Sequence, residues 1–232
     1  MNLEAEEEIL IDVNELAKDY DYYQVSGISI SPDNKKMAFG VDTLSRRIYT
    51  IKVKDLGTGK MYPDKIHGVN SYTTWASDSK TMFYTGKDEQ TLRSDKIFRH
   101  TLGESQDDDT LVYEEKDETF STYVYPSKSR EYIMIGSTST MATEYRFLSS
   151  KTPLESFKVL QKRERGLEYS PSHVGDMFYI STNIDESTNF KLVKTPITST
   201  EKSNWRDVIP HREDVLIEDT DFFNDFMVIG ER

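Results

Sequence analysis

Short apolar runs, separated by turn-forming residues, recur along the whole chain. In the first of these units, Ile28 and Ile30 alternate with serines, which predicts a half-buried strand. Residues 31–34 (SPDN) then predict a turn, because Pro fixes φ and Asp and Asn close turns with their own side chains. Residues 37–39 (MAF) and 48–53 (IYTIKV) predict two further strands.

The same arrangement repeats with a regular period. The second predicted strands of successive units begin at residues 37, 82, 133, 177 and 227, so the spacings are 45, 51, 44 and 50 residues. Each is preceded by a strand and a turn, and the first four are followed by a third strand. Most units have a fourth strand as well. Four short antiparallel strands every 40 to 50 residues or so predict an all-β fold, a β-propeller of four-stranded blades. A β-sandwich is the alternative, but it does not repeat with this spacing.

The period also predicts the domain organisation, a single partial propeller over residues 1–232. We expect four blades at approximately 25–66, 70–116, 120–162 and 166–214, and a part-blade of two strands at 215–232. Residues 1–23 form an acidic lead-in, in which we expect one strand at 9–13 and a short helical turn at 14–17. We therefore expect the chain to begin and end inside blades of a larger propeller.

The composition narrows the class of partner. The chain carries a net charge of -12 at pH 7, and eight acids face one lysine in the lead-in. Nucleic-acid binders use basic faces, so we expect no nucleic-acid partner. No apolar run approaches 18 residues and no signal-like start is present, so we expect no membrane partner. There is no cysteine, which favours a cytoplasmic protein, with the periplasm as the alternative.

The residue types that bind metals are scattered. His67, His100, His173 and His211 have no pair at helical metal-site spacing, and no cysteine assists them, so we interpret them as loop or strand-surface residues. The acidic stretch 106–109 (QDDD) lacks the alternating ligands and central Gly of a calcium loop and predicts a solvated hairpin loop. We expect no metal site and no cofactor.

Three other features favour structural roles. Trp75 and Trp205 are interpreted as core residues, since packing explains them more simply than ligand stacking. Residues 162–165 (KRER) are a short mixed-charge run between predicted blades, too small for a nucleic-acid patch.

Many short stretches, in the same order, resemble the propeller of oligopeptidase B. The similarity covers nearly the whole chain, and the stretches that carry it are 12–17 (DVNELA), 31–34 (SPDN), 46–50 (RRIYT), 54–56 (KDL) with 58–59 (TG), 75–81 (WASDSKT), 90–93 (QTLR), 112–117 (VYEEKD) and 210–214 (PHRED).

The resemblance implies a function that composition and period do not show. Oligopeptidase B belongs to the prolyl oligopeptidase group of serine peptidases, in which an α/β-hydrolase domain is paired with a seven-bladed propeller. The propeller caps the active site and admits only short peptides, and cleavage follows Arg or Lys. The partners implied are thus an α/β-hydrolase catalytic domain and, for the parent enzyme, short basic peptides.

The chain itself lacks the catalytic motif of that group. An α/β-hydrolase places its serine in a G-x-S-x-G elbow, and the nearest string, residues 27–31 (GISIS), does not end in Gly and lies on a predicted strand. In the family, the nucleophile and the specificity sites lie beyond the region matched here. We therefore predict no catalytic residue in this chain and no activity for it alone.

Arg46 and Arg47 are the candidate site residues. They lie in the loop between the second and third strands of the first blade, and neighbouring strand residues point to opposite faces, so at most one of them packs along the blade. A planar guanidinium suits a carboxylate partner. We expect one of them to contact the hydrolase domain, and a surface salt bridge of small effect is the alternative.

Two functions follow as hypotheses. The first is a non-catalytic propeller portion of an oligopeptidase B-like serine endopeptidase, which filters substrate and caps the catalytic domain. The second is a stand-alone propeller that serves as a protein-interaction scaffold.

Four blades and two part-blades do not complete a circle of seven, so we expect an open arc. Self-association through the exposed terminal blades is favoured, because unpaired edges and apolar faces find partners. The apolar residues expected at one end are Phe222, Phe223, Phe226, Val228 and Ile229. Alternatively, a strand at 9–13 pairs with this segment and closes a ring of about five blades.

Overall fold

The computed structural model describes residues 4–223 and 225–232, and its regular structure is almost entirely strand. It divides into two compact units. Unit 1 comprises the described residues up to Ser94 together with Phe98–Leu111, and unit 2 comprises Asp95–Ile97 together with Val112–Arg232. Residues 1–3 of the predicted lead-in and Asn224 of the predicted last turn lie outside the described residues.

The first sheet contains seven strands that neighbour one another in sequence order. They are β1 (Gln24–Ile30), β2 (Lys36–Asp42), β3 (Tyr49–Asp55), β4 (Met61–Trp75), β5 (Thr81–Gly86), β6 (Lys96–Thr101) and β7 (Thr110–Glu114).

Strand β4 has 15 residues and serves two neighbours in turn. Its first part pairs antiparallel with β3, from Lys54 opposite Met61 to Tyr49 opposite Val69. Its second part pairs antiparallel with β5, from Val69 opposite Gly86 onward. The fourth strand of the first repeat and the first strand of the second are therefore one continuous strand.

Two further sheets of four antiparallel strands and one pair of strands belong to the second half of the chain. The second sheet contains β8 (Ser121–Pro126), β9 (Tyr132–Thr138), β10 (Thr143–Ser149) and β11 (Lys158–Gln161). The third contains β12 (Tyr169–Val174), β13 (Met177–Thr182), β14 (Lys191–Pro196) and β15 (Arg206–Ile209), and the last pair is β16 (Ile217–Phe222) with β17 (Met227–Glu231). The all-β prediction and the four-stranded antiparallel sheets are confirmed.

The predicted second strands lie where the sequence placed them. The runs that begin at 37, 82, 133, 177 and 227 fall in β2, β5, β9, β13 and β17. In β5 all six residues are buried, so both faces of this strand are covered. A continuous apolar run is typical of such a strand, and the run at 82–84 therefore predicts it directly.

The predicted burial of β1 is wrong. Ile28 is 59% exposed and Ile30 is 38% exposed, whereas Gly27 is buried. The pairing with β2 shifts register between Ser26 and Ser29, and Gly27 has a φ of +66°. A bulge of this kind re-aims the following side chains, and the alternating pattern of the sequence does not reveal it.

The predicted strand at 9–13 is also wrong. Among residues 4–23 the structure has no strand, only the short helix α1 (Val13–Leu16). Asp12 caps this helix, since its side chain accepts hydrogen bonds from the backbone N–H groups of Asn14 and Glu15. The ring closure considered above needed a strand here, so the structure removes its basis.

Each unit has its own apolar core. In unit 1 one cluster comprises Ala38, Ile51, Val53, Ile66, Val69, Trp75, Met82 and Tyr84. In unit 2 one comprises Met134, Tyr145, Phe147, Leu160, Leu167, Tyr169, Phe178, Ile180, Val193 and Trp205. Many of the unit 2 side chains are aromatic, and they meet edge to face, as in the pair Phe147 and Phe178 at 5.1 Å between ring centroids.

The apolar residues expected to be uncovered near β16 and β17 divide into two groups. Phe223, Phe226 and Val228 are exposed, and Ile229 is half-buried. Phe222 is buried, because its ring lies 4.9 Å from that of Tyr179. The expectation of exposure is therefore wrong for Phe222.

Candidate functional site

The loop that carries Arg46 and Arg47 follows β2 and is shaped by a buried carboxylate. Asp42, the last residue of β2, is 1% exposed. Its two oxygens accept hydrogen bonds from the backbone N–H of Leu44 at 2.8 Å and of Arg47 at 2.7 Å. Ser45 and Arg47 both have a φ of 57°, so the loop turns sharply twice. The turn is thus fixed from its base, and its outer side chains are presented to solvent.

The neighbouring loop between β5 and β6 supports it. The Lys87 ammonium donates a hydrogen bond to the Arg47 carbonyl at 2.9 Å, and an Arg46 Nη2–H donates to the Glu89 carbonyl at 3.4 Å. The second loop is itself ordered by Asp88, whose Oδ1 accepts from three groups of the following residues. Burial lowers the pKa of Lys87, and the nearby Arg47 charge lowers it further.

These two loops form a basic surface, which we define by Leu44, Arg46, Arg47 and Lys87. Leu44 is 74% exposed, and both arginines are exposed. None of the described residues forms a hydrogen bond or ion pair with the Arg47 guanidinium. Since a guanidinium offers five donors in a planar fork, this surface suits a carboxylate partner beside an apolar contact.

The interpretation of the histidines is correct for His67 and wrong for two others. His67 is exposed, and its Nδ1 lies 3.0 Å from Thr50 Oγ1. His100 and His173 are buried, at 1% and 4% exposure. Within residues 4–223 and 225–232, no group of three His, Asp or Glu side chains is arranged to hold a metal ion.

His100 lies between two buried acids that sequence reasoning did not connect with it. Its Nε2 is 3.0 Å from Asp64 Oδ1, and its Nδ1 is 2.7 Å from Asp109 Oδ1. The available signal was that His100 shares a strand face with Phe98, which packs against the core of unit 1.

The prediction of a solvated loop at 106–109 fails at its last residue. Residues Gln106–Asp108 form a single 3-10 turn, capped by the Ser105 side chain. The Asp109 side chain that follows is 3% exposed because it faces His100.

His173 pairs with a serine but does not form a catalytic triad. Its Nδ1 lies 2.9 Å from Ser129 Oγ. Its Nε2 is buried and has no hydrogen-bond partner among the described residues, so no third group orients the ring. Ser29, in the string nearest to a nucleophile elbow, lies within strand β1 rather than at a strand-to-helix turn.

The mixed-charge run at 162–165 contains an unexpected structural residue. Arg163 donates hydrogen bonds to Glu115 at 2.5 Å and to Glu144 at 3.3 Å, and its guanidinium stacks on the Phe120 ring at 3.9 Å. Burial lowers the pKa of Arg163, but these two carboxylates outweigh burial and raise it.

The interpretation of both tryptophans as core residues is confirmed. Trp75 and Trp205 are each 7% exposed. The Trp75 indole donates to the Ser29 carbonyl at 3.2 Å, and the Trp205 indole donates to the Thr200 carbonyl at 2.8 Å. The described residues contain no helix that is long and apolar enough to span a membrane.

Comparison with known proteins identifies the fold family. The family model described as "Prolyl oligopeptidase, N-terminal beta-propeller domain" matches residues 1–232. Dipeptidyl aminopeptidase BI of Pseudoxanthomonas mexicana is 40% identical over 228 residues, which are 98% of this chain and 31% of that protein.

Two solved structures are similar over 97% of the chain. Oligopeptidase B from Leishmania major superimposes with a TM-score of 0.91 at 30% identity, and the match covers 32% of that protein. Oligopeptidase B from Trypanosoma brucei, in a closed form with covalently bound antipain, superimposes with a TM-score of 0.88 at 28% identity and 31% coverage. The chain thus spans about a third of the length of the relatives it matches, and it belongs to the N-terminal β-propeller domain family of the prolyl oligopeptidases.

Proposed function

We propose that this propeller is the non-catalytic part of a serine peptidase, in which it caps an α/β-hydrolase domain and restricts entry to short peptides. The family match over residues 1–232, at about a third of the length of the relatives, is the observation that carries this proposal. A cap of this kind contributes by sequestering substrate, while the catalytic domain supplies the bond chemistry.

The substrate class of the parent is proposed to be peptides cleaved after Arg or Lys. The support is the similarity to two solved oligopeptidase B structures at 28% and 30% identity. The 40% identical relative is named a dipeptidyl aminopeptidase, and this favours a second candidate, the release of dipeptides from peptide N-termini.

The basic surface is proposed to contact an acidic residue of the catalytic domain. It is supported by the exposure of both arginines and by the unpaired guanidinium of Arg47 among the described residues. One neighbour was solved in a closed form, which supports a contact that forms when the two domains approach each other.

Two experiments test the proposed role. The chain alone is incubated with Arg and Lys ester and amide substrates and with a serine-directed phosphonate probe. We expect no turnover and no labelled serine, and stoichiometric labelling would contradict a non-catalytic role. The reading frame around this segment should encode a hydrolase domain with a G-x-S-x-G elbow. A frame without one would favour the interaction scaffold.

The two substrate candidates separate on blocked and free peptides. The enzyme that contains this propeller is assayed on peptides with an internal Arg or Lys, each with a free or an acetylated N-terminus. Cleavage of the acetylated peptide after the basic residue supports the endopeptidase. Release of a dipeptide that acetylation abolishes supports the aminopeptidase.

A further inference from the structure

A buried histidine in unit 1 is bonded at both ring nitrogens to carboxylates. His100 lies in β6, and the His100 and Asp64 side chains are each 1% exposed. Asp64 lies in β4, 36 positions earlier, and Asp109 lies nine positions later. The ring therefore bridges a strand and the connection that follows β6.

The two contacts favour a His100 ring that is protonated at both nitrogens. An ionised carboxylate only accepts hydrogen bonds, and a neutral imidazole has one nitrogen that also only accepts. With Oδ1 of Asp64 at 3.0 Å and Oδ1 of Asp109 at 2.7 Å, a neutral ring would place one nitrogen lone pair against a carboxylate. An imidazolium donates to both and removes that repulsion.

The groups that face this ring carry a net negative charge. Tyr84, on β5, donates to Asp109 Oδ2 at 2.7 Å, and the Gly103 N–H donates to Asp64 Oδ1 at 2.5 Å. The second oxygen of Asp64 is buried without a hydrogen-bond partner among the described residues. Two buried carboxylates with one imidazolium leave a charge of −1, so loss of the ring proton would leave −2.

The same connection is attached to β4 at a second point. The Gln106 side chain accepts a hydrogen bond from the His67 N–H at 2.9 Å and donates one to the His67 carbonyl at 3.0 Å. Residues 102–109 are thus tied to β4 by the Gln106 amide, by the Gly103 N–H on Asp64 and by the charged contact through His100.

We propose that the His100 imidazolium is a pH-dependent clamp that holds residues 102–109 against β4, and that loss of its proton releases this connection. The clamp joins the outer strand of the first repeat to the second repeat. It is independent of the catalytic role proposed for the parent enzyme.

The direction of the pH dependence follows from the same contacts. Burial lowers the pKa of His100, but the hydrogen bonds to Asp109 and Asp64 outweigh burial and raise it above its ordinary value. The stabilisation is therefore complete below about pH 6.5, the ordinary pKa of histidine, and is lost as the pH rises through the folded pKa. Between these two values the unfolding equilibrium constant rises about tenfold per pH unit.

The ring ¹⁵N shifts of the labelled chain between pH 5.5 and 9.5 test the clamp without any variant. We expect His100 to keep two protonated nitrogens through pH 6.5 and to titrate in one step above it. A His100 ring that is already neutral at pH 6.5, with either nitrogen protonated, would overturn the proposal.

Two variants extend the test by hydrogen exchange. Asp64→Asn keeps the shape and removes one charge, so we expect a lower midpoint of the His100 titration and at least tenfold faster amide exchange in residues 103–109 at pH 7.5. His67→Gln removes an exposed histidine of the same unit and serves as the matched control, with both properties unchanged. An unchanged midpoint in D64N would show that Asp64 does not hold the proton.

Discussion

The Arg163 guanidinium donates a hydrogen bond to the Glu115 carboxylate at 2.5 Å, across 48 positions of the chain. The Glu115 side chain is 4% exposed, and the same guanidinium reaches the buried Glu144. Arg163 therefore contacts two acids of unit 2, of which Glu144 has a second cation in Arg146 at 2.6 Å. A buried ion pair adds little stability compared with two apolar residues at the same positions. Removal of one partner is costly, however, because it leaves a buried charge uncompensated.

We expect Arg163→Met to lower the free energy of unfolding by about 3 kcal/mol, because the buried Glu115 loses the guanidinium that donates to it at 2.5 Å. Urea denaturation of the chain measures this change. Lys162→Met removes the same charge from the exposed neighbouring residue and should change the free energy by less than about 0.5 kcal/mol. Equal effects of the two substitutions would contradict the role of Arg163.

The same carboxylate gives a prediction on the acid side. Burial raises the pKa of Glu115, but the hydrogen bonds from Arg163 and Tyr113 outweigh burial and hold it below its ordinary value. This stabilisation is present above about pH 4.3 and is lost as the pH falls through the folded pKa. Urea midpoints between pH 3 and 7 should therefore fall less steeply on the acid side in R163M than in wild type or K162M. If the curves of urea midpoint against pH were parallel in all three proteins, this prediction would be wrong.

Two glycines with positive φ separate backbone strain from steric overlap. A Cβ on Gly27 would lie 2.1 Å from the Ser71 carbonyl oxygen, whereas a Cβ on Gly59 would meet nothing within 4 Å. We expect Gly59→Ala to destabilise by about 1 kcal/mol through φ alone. Gly27→Ala should destabilise by a further 1–3 kcal/mol or so. Thermal and urea unfolding of the two variants measure these changes. Similar losses of stability in both would contradict the steric overlap at Gly27, because β4 would then have moved away at Ser71.

The basic surface predicts salt-dependent kinetics in the proposed parent enzyme. Arg46→Ala or Arg47→Ala should lower kcat/KM by up to about fivefold at low salt, the size expected for an exposed ion pair, and the difference should vanish at high salt. Lys60→Ala is the control, because Lys60 is exposed in the loop at the opposite end of β3. If both arginine variants had wild-type kinetics at every salt concentration, the proposed contact of the basic surface with the catalytic domain would be wrong.

The strands β16 and β17 predict self-association of the isolated chain. Phe226 is 61% exposed and Val228 is 50% exposed, beside a strand edge that the structure leaves in a two-stranded sheet. Light scattering should show that the chain associates as its concentration is increased. Phe226→Lys and Val228→Lys should each weaken this association, since a charge disfavours burial of the surface. Leu154→Lys, at a 73% exposed loop residue, should leave it unchanged. A monomer at all concentrations would contradict this prediction.

The local pattern of apolar runs predicted most of the strands in the sheets and their order along the chain. Runs such as residues 82–84 (MFY) are buried on both faces, so their composition alone marks them, and the spacing between them indicates the repeat. The resemblance to oligopeptidase B rested on many short stretches in order, and the family match over the chain confirms it.

Side-chain contacts between residues that are far apart in the sequence could not be predicted from it. The sequence places His100 on the same strand face as Phe98, but it does not show that Asp64 and Asp109 approach the two ring nitrogens. Arg163 is similar, since its partner Glu115 is remote in sequence. The strand predicted at 9–13 is wrong, whereas the helical turn predicted at 14–17 is present as α1, which begins one residue earlier, after its cap Asp12.

Strand β4 couples the first two repeats mechanically, because it belongs to both of them. A propeller is usually described as a row of exchangeable modules, with a loop between each and the next. Here Val69 lies opposite Tyr49 of β3 on one side and Gly86 of β5 on the other, so the two repeats share one backbone segment. Pulling on one repeat therefore loads the other through this segment, and a boundary for recombination or circular permutation drawn between them would cut the strand.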